Sequence, residues 1–593
     1  MVTYMDRPWI SKLDPGVSPS LMPYPDKPLF ALLRERAART PDNIAVSTSA
    51  RLPIVGRMCA DLTYAEVDRA SDALAVALAE LGVKKGDRVG VVMPNTAAFI
   101  ISYFGILKAG AIVVAVNPTY PPEKMREQLA DSGATVALCL TLFYNALKSV
   151  QAGTQVRTII TSNVKEYLHP LARRMFQIAK EKKGGHVIEA VAPGDHWLQA
   201  VLSKYAGRKP TVTVSGEDVA IYQYTGGTTG VPKGAMSQHK ALVANTLQCI
   251  EMLTSGDDKG RGDKEIFLGA IPFFHVYGLI TVVGFAMSLG ARIVLVPNAR
   301  DIPDVLDVID TYKPTIFMGV PALYNAISNH PKVKAKQIDM TSIRVCMSGS
   351  APLPPAVKRE FERLTGGKLL EGFGMSEMPT ATHTNPLVGE NRTGSIGLPF
   401  PDMDVRVVDL ETGTTEIAVG EIGELIMHGP QLMLGYHNMP DETAHALRLH
   451  DGKRFLYTGD IARMDEDGYF YIVDRKKDMA IIGGYNVFPL NVDKVLADHP
   501  AVLEVATAAV PHPDKQGQEA LKAWVVLKPD MTVTESELVD FASKRLARYE
   551  VPSRFSFIET LPKTTVGKTL RRELVAMEIA ERTERARTLQ PTP

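Results

Sequence analysis

Two stretches of this chain carry no charge: Val89 to Leu107 and Leu268 to Ala291 contain no Asp, Glu, Lys or Arg. Length alone would make each a candidate membrane span. Their internal punctuation argues otherwise. In the first, the strand-like run Val89–Met93 meets Pro94-Asn95-Thr96, which breaks a strand and offers a helix N-cap. A helix to Leu107 then stops near Gly110, and Ala111–Val116 reads as a second strand. The second stretch parses in the same way around Pro272 and Gly290 and ends in the strand Arg292–Val296. A strand–helix–strand unit that is apolar throughout is what a parallel sheet buried on both faces requires.

The alternation continues from about residue 60 to 400, which implies a layered α/β architecture with parallel strands. From about 403 to 474 the pattern changes to short strands with turn residues, a small β subdomain. A compact α+β unit follows from 478. A chain of 593 residues is too long for one core, so at least two domains are expected. The expected limits are an extended, proline-rich arm over 1–30, a large domain over 31–474, a connection at 475–477, a small domain over 478–580 and a frayed tail over 581–593.

Lysine plus arginine equals aspartate plus glutamate, 66 of each, which argues against a general nucleic-acid binder. Cys59, Cys139, Cys249 and Cys346 show neither metal-ligand nor disulfide spacing. Reduced thiols in a cytoplasmic protein are expected, and no secretory signal is evident.

The segment Tyr224-Thr-Gly-Gly-Thr-Thr-Gly-Val-Pro-Lys-Gly-Ala235 follows an apolar run, Val219–Tyr224. Glycines let consecutive backbone N–H groups turn toward a ligand, and the threonine hydroxyls and Lys233 add donors and charge. Those are the requirements for holding a polyphosphate. Neither Gly-x-x-x-x-Gly-Lys-[Ser/Thr] nor Gly-x-Gly-x-x-Gly can be threaded through it. A flexible linker would favour Ser, Glu and Gln over Thr-Thr and Pro-Lys.

The loop resembles the signature phosphate loop of the adenylate-forming superfamily, and its wording is most similar to the long-chain fatty acyl-CoA synthetases. Further motifs match in order from about 220 to 570. The resemblance implies that Thr225, Gly226, Gly227, Thr228, Thr229, Gly230 and Lys233 bind ATP, with Lys233 on the outgoing pyrophosphate. Glu371-Gly-Phe-Gly-Met-Ser-Glu377 resembles a second motif of that superfamily. It implies Phe373 stacked on adenine, Ser376 on the α-phosphate and Glu377 as a Mg²⁺ ligand together with Thr228. Glu371, Gly372, Gly374 and Met375 complete that wall. Phe in place of the usual Tyr loses a hydroxyl but keeps the stacking face. Gly349, Ser350 and Ala351 resemble the adenine-flanking loop.

Hairpin register places Asp460 opposite about 473–474, so that Asp460 and Arg475 share one end of a hairpin. A carboxylate can accept both hydrogen bonds of a vicinal diol, and the resemblance assigns this pair to ribose. It assigns Lys477 to a hinge, Lys568 of Pro562-Lys-Thr-Thr-Val-Gly-Lys568 to the adenylation step, and Gly483, Gly484 and Tyr485 to a CoA tunnel. His275, in Phe273-Phe-His-Val-Tyr-Gly278, is implied to line the acyl or thiol path. No aspartate stands in that motif to pair with an α-ammonium group, which disfavours amino-acid adenylation.

The expected activity is therefore AMP-forming ligation of a fatty acid to CoA, with ATP, Mg²⁺ and CoA required. Medium-chain or aryl acyl-CoA ligation, or loading of a carrier protein, are the neighbouring alternatives. Intact Lys233, Glu377, Asp460, Arg475 and Lys568 argue against a catalytically silent lipid binder. Homodimers occur among similar enzymes. Separately, residues 170–183 combine apolar positions 171, 175, 178 and 179 with Arg173, Arg174, Lys180, Lys182 and Lys183. Such a basic amphipathic helix can lie on an anionic membrane, here the inner face.

Overall fold

The computed structural model describes residues 2–52, 55–225, 232–254, 262–482, 484–512, 518–564 and 567–588, with side chains as far as 584. They pack as two units. The larger comprises Trp9–Asp404 with His428–Leu456, and the smaller comprises Val405–Met427, the chain from Tyr457 onward and the residues before Trp9.

The larger unit contains two sheets. One runs parallel through Val219–Thr225, Ile112–Ala115, Arg88–Val92, Val136–Leu140, Thr158–Ser162 and His196–Trp197, with Lys233–Gln238 and Gly435–Tyr436 antiparallel at its edge. The other is parallel through Ile44–Leu52, Arg292–Leu295, Ile266–Gly269, Ile316–Gly319, Val345–Ser348 and Lys368–Met375. Antiparallel strands close it at both edges, Gly56–Thr63 on one side and Met378–Thr384 with Leu398–Pro399 on the other. The alternation expected from the sequence is thus realised as parallel α/β layers.

Both uncharged stretches are interior elements. The first is the end of strand Arg88–Val92 and the helix Ala97–Lys108, every residue of which is buried. The Thr96 hydroxyl caps that helix by accepting from Phe99 N at 3.2 Å. Each large apolar side chain buried there contributes about 1.5–3 kcal/mol. The helix passes within van der Waals reach of its neighbour at Gly105, where a Cβ would come within 2.7 Å of Leu74. Lys108 ends the run buried, and its charge is met by Asp68 at 2.6 Å and Asp72 at 2.8 Å. The second stretch supplies a helical run whose middle, Leu279–Gly284, is π-wound. Asn95 joins the two: Nδ2 donates to the carbonyls of Gly269 and Ile271 at 2.8 Å each, and Oδ1 accepts from Phe273 N at 2.8 Å. Among the described residues, no helix is long and apolar enough to cross a membrane.

The N-terminal arm is held down. Two 3₁₀ turns, Tyr4–Asp6 and Pro8–Lys12, begin it. Buried Asp14 accepts from the N–H groups of Leu387, Val388 and Gly389, and Asp402 accepts from Leu21 N, the Ser20 hydroxyl and the Tyr24 hydroxyl.

Strands Asp404–Val408 and Gly423–His428, which lie in the smaller unit except for Asp404 and His428, lead to the hairpin that ends at Phe470–Arg475. A second sheet joins Val502–Pro511, Glu519–Leu527 and Arg554–Phe557, covered by helices Pro489–Ala497 and Glu535–Ser543 around Val492, Leu496, Leu521, Val525 and Leu538. The final helix runs Arg571–Thr588, so residues 581–588 are helical where a frayed tail was expected. Arg582 explains the extension: Nε pairs with Glu578 at 2.5 Å and Nη1 donates to Pro511 O at 2.5 Å.

Candidate active site

The strands Val219–Thr225 and Lys233–Gln238 pair in antiparallel register, with Thr225 opposite Lys233. Together they flank the glycine–threonine segment in the sequence. Gly226, Gly227, Thr228, Thr229 and Gly230 lie outside the described residues, as does Gly483. Lys233 makes an ion pair with Glu442 and stands 5.5 Å from the ring centroid of Tyr436. The Tyr436 hydroxyl donates to Glu377 Oε1 at 2.7 Å, and burial, then the Glu377 charge, raises the phenol well above its usual range. The segment carrying Tyr436 is fixed on both sides. Leu434 N bonds Met236 O at 2.9 Å, His437 N bonds Gly234 O at 2.8 Å, and Met433 N bonds Glu377 O at 3.0 Å. Lys233, expected at the phosphates, and Glu377, expected at a metal, are thereby tied through one tyrosine.

The expected adenine wall lies at the carboxyl ends of adjacent parallel strands. Ser348 pairs with Glu371, which brings Gly349, Ser350 and Ala351 beside Gly372 and Phe373. Ligands of open α/β sheets bind at such strand ends. Ser350 adopts the left-handed region at φ 69°, and Glu371 Oε1 accepts from Leu353 N at 3.1 Å. The Gly374-Met375-Ser376-Glu377 turn is sterically specified, since a Cβ on Gly374 would lie 1.5 Å from Thr380 O. Asn245, fully buried, holds the facing strand: Oδ1 accepts from Thr380 N at 2.5 Å and Ala381 N at 3.1 Å, and Nδ2 donates to Ala381 O at 2.6 Å. Phe373 and buried His383 meet in a T-shaped arrangement with centroids 5.9 Å apart.

His275 joins the same sheet edge through Tyr277, whose hydroxyl donates to Met347 O at 2.8 Å and Gly319 O at 3.2 Å. Its Nδ1 accepts from Tyr277 N at 3.2 Å, and burial pushes its pKa down to about 4. A neutral imidazole accepting at Nδ1 carries its proton on Nε2.

In the smaller unit Asp460 pairs with Arg475 itself, not with 473–474 as expected. A register shift between Ile461 and Ala462 moves the partner along. Arg475 Nε donates to Asp460 Oδ1 at 3.0 Å, while Oδ2 is buried with no hydrogen-bond partner among the described residues. An unpaired buried carboxylate oxygen is costly, and it suits a hydroxyl donor. The turn before it rests on buried Glu424, which accepts from Gly459 N at 3.2 Å and pairs with Lys476 at 2.9 Å. Lys568 belongs to the same electrostatic cluster. Burial first, and then the Arg475 charge, lowers its amine to about 7, against the opposing pull of Asp460. Lys477 is lowered by burial as well. Lys568 is positioned by its own turn, where its N–H bonds the Thr564 hydroxyl at 3.0 Å and its carbonyl accepts from Thr564 N at 2.8 Å. Gly484, at φ 87°, opens the tight Ala480–Val487 hairpin, and Tyr485 stacks on Tyr549 with centroids 4.4 Å apart.

Sequence reasoning missed Tyr436, Glu442, Asn245 and Glu424. Each acts across a long separation, 59 residues for Tyr436–Glu377 and 209 for Lys233–Glu442, and none sits in a motif of catalytic composition.

Residues 33–437 match the AMP-binding enzyme family and 491–568 its C-terminal domain, and the chain belongs to that family. Among similar proteins is the long-chain-fatty-acid–CoA ligase of Bacillus subtilis, 40% identical over 575 residues, which covers 96% of this chain and 98% of the relative. Among solved structures, ATP-bound MatB from Rhodopseudomonas palustris superposes with a TM-score of 0.78 at 26% identity, covering 92% of this chain and 98% of that one. The anthranilate CoA ligase AuaEII, in complex with anthranoyl-AMP, gives 0.77 at 25% identity over 93% and 97%.

Proposed function

We propose that this protein is an AMP-forming ligase that joins a long-chain fatty acid to CoA. The observation that carries the substrate class is the near full-length similarity to the long-chain-fatty-acid–CoA ligase of Bacillus subtilis. The chemistry rests on the site groups.

In the first step a carboxylate oxygen attacks the α-phosphorus of ATP. The bond to the β-phosphate oxygen breaks, and pyrophosphate leaves with the electron pair. Lys233 exchanges its Glu442 partner for the β,γ-phosphates. Phe373 stacks on adenine, Glu371 and Gly349–Ala351 border it, and Ser376 donates to the α-phosphate. Asp460 accepts from both ribose hydroxyls, one at the oxygen that has no partner among the described residues. Lys568, charged when it meets phosphate, stabilises the pentavalent phosphorus.

The Glu377 carboxylate fits a hard cation such as Mg²⁺: Tyr436 orients one oxygen and the group is half-buried. When bound, that ion neutralises developing phosphate charge.

In the second step the CoA thiol attacks the acyl carbonyl, the bond from that carbon to the phosphate oxygen breaks, AMP departs with the electron pair and the thiol proton passes to solvent. Backbone rotation at Lys477 withdraws Lys568 from the Asp460–Arg475 pair and brings the Gly484–Tyr485 hairpin into use. Neutral His275 borders the acyl path without placing a charge there. Four free cysteines suit a reducing cytoplasm.

The test is thioester formation across carboxylic acids graded from short to very long chain, with aromatic acids included and with CoA compared against an acyl carrier protein. Highest kcat/KM for long-chain acids with CoA is expected. Preference for aromatic acids, or acyl transfer to the carrier protein alone, overturns the reading.

A further inference from the structure

The helix Pro170–Ala179 takes no part in this chemistry, and its faces are distributed unusually. His169 starts it, Nδ1 accepting from Leu171 N at 3.3 Å. Ala172 is its buried residue, and half-buried Phe176 meets His186 edge-on at 5.4 Å. The apolar positions that would normally face a core instead face solvent: Leu171 is 43% exposed and Ile178 80% exposed. Arg174 lies between them at helical spacing. The helix stops at Ala179, earlier than the 170–183 expected, and Lys180–Lys183 wind through a turn in which Gly184 N bonds Lys180 O at 2.7 Å.

The charges are equally one-sided. Glu166 is paired with Arg173 at 2.7 Å and Glu181 with Lys165 at 2.6 Å. Arg174, Lys180, Lys182 and Lys183 are exposed and make no ion pair among the described residues. Glu189 is an exposed acid beyond the turn. Two more bare aliphatics adjoin this surface: Val187, and Leu142, whose Cδ1 lies 3.4 Å from where a Cβ on Gly185 would stand.

We propose that the helix Pro170–Ala179 and the turn after it form a docking face for an anionic lipid bilayer. Leu171 and Ile178 enter the boundary between headgroups and acyl chains, and Arg174, Lys180, Lys182 and Lys183 meet lipid phosphates. A bilayer fits better than a folded acidic partner because the aliphatics stand singly on a convex helix, not in a groove. The cations stand on long stems that can snorkel to headgroups while the aliphatics insert.

The test is sedimentation of the full chain with phosphatidylcholine–phosphatidylglycerol vesicles, without nucleotide or fatty acid, against pure phosphatidylcholine vesicles. Binding to the anionic vesicles that falls with added salt is expected. Replacing the four cations with glutamine should weaken it more than about 50-fold, since each basic residue near such a surface contributes roughly fivefold. Ile178→Asp should weaken it about tenfold with the cations retained. Both variants alter exposed side chains, and unchanged ligase turnover with soluble substrate reports that they fold. Equal sedimentation of the four-cation variant and the unaltered protein overturns the proposal. So does equal binding to neutral vesicles, an Ile178→Asp variant that binds unchanged, or retention on heparin without vesicle binding.

Discussion

Tyr436 donates a hydrogen bond of 2.7 Å to Glu377 while its ring lies 5.5 Å from the Lys233 ammonium. The cation proposed to meet the outgoing phosphates and the carboxylate proposed to hold a metal therefore share one scaffold. Removing only the hydroxyl, in Tyr436→Phe, keeps the ring and frees the carboxylate. Hydrogen bonds to charged groups are worth about 1.5–3 kcal/mol. The expected result is a rise of about 10- to 100-fold in the Mg²⁺ concentration needed for half-maximal pyrophosphate release, with thermal stability little changed. Mg²⁺ titration of pyrophosphate release reads it.

Asp460 provides a second test. Among the described residues its Oδ2 is buried and unpaired, while Oδ1 is held by Arg475. If the free oxygen accepts from ribose, the unaltered protein should prefer ATP to 2′-deoxy-ATP by about tenfold or more. Asp460→Asn should lower kcat/KM for ATP and shrink that preference to about threefold or less. Steady-state kinetics with both nucleotides measures it.

The Lys568 amine sits near pH 7 because of burial first and the Arg475 charge second. Its protonated form is disfavoured in the ligand-free protein and favoured beside phosphate, so the bound pKa is higher. Above pH 7, binding an acyl-AMP analogue must take up a proton, and affinity should fall as pH rises toward the bound pKa, approaching tenfold per unit. Calorimetry in two buffers of different ionisation enthalpy detects the uptake. Lys568→Ala should lose the pH dependence and abolish pyrophosphate exchange, yet largely spare thioester formation from supplied acyl-AMP.

Gly374 faces Thr380 O so closely that any side chain must displace the turn carrying Ser376 and Glu377. Gly374→Ala should lower adenylation more than about tenfold, the effect of roughly 1.4 kcal/mol of lost transition-state stabilisation. Acyl-AMP formation in a single turnover tests it.

How much of this was legible beforehand depends on the range of the interactions. The parallel layers were readable because Thr96, Gly110 and Gly290 punctuate apolar runs locally. Lys233, Glu377, Asp460 and Lys568 stood out as candidates because they sit in motifs dense with glycine and hydroxyl residues. The partner of Asp460 was misplaced by one or two residues because a bulge at Ile461–Ala462 carries no sequence signature. The basic segment was expected to be helical through Lys183, but its last turn follows the backbone of Gly184 and Gly185. Tyr436 and Glu442 were invisible, since a hydrogen bond or ion pair closed over tens to hundreds of residues leaves no periodicity behind.

The central claim is tested most directly by a nucleotide balance. Purified protein supplied with ATP, Mg²⁺, a long-chain fatty acid and CoA should yield AMP, pyrophosphate and acyl-CoA in equal amounts, and pyrophosphate should form with fatty acid even when CoA is withheld. Release of ADP and phosphate, or no nucleotide cleavage that depends on the fatty acid, would contradict it.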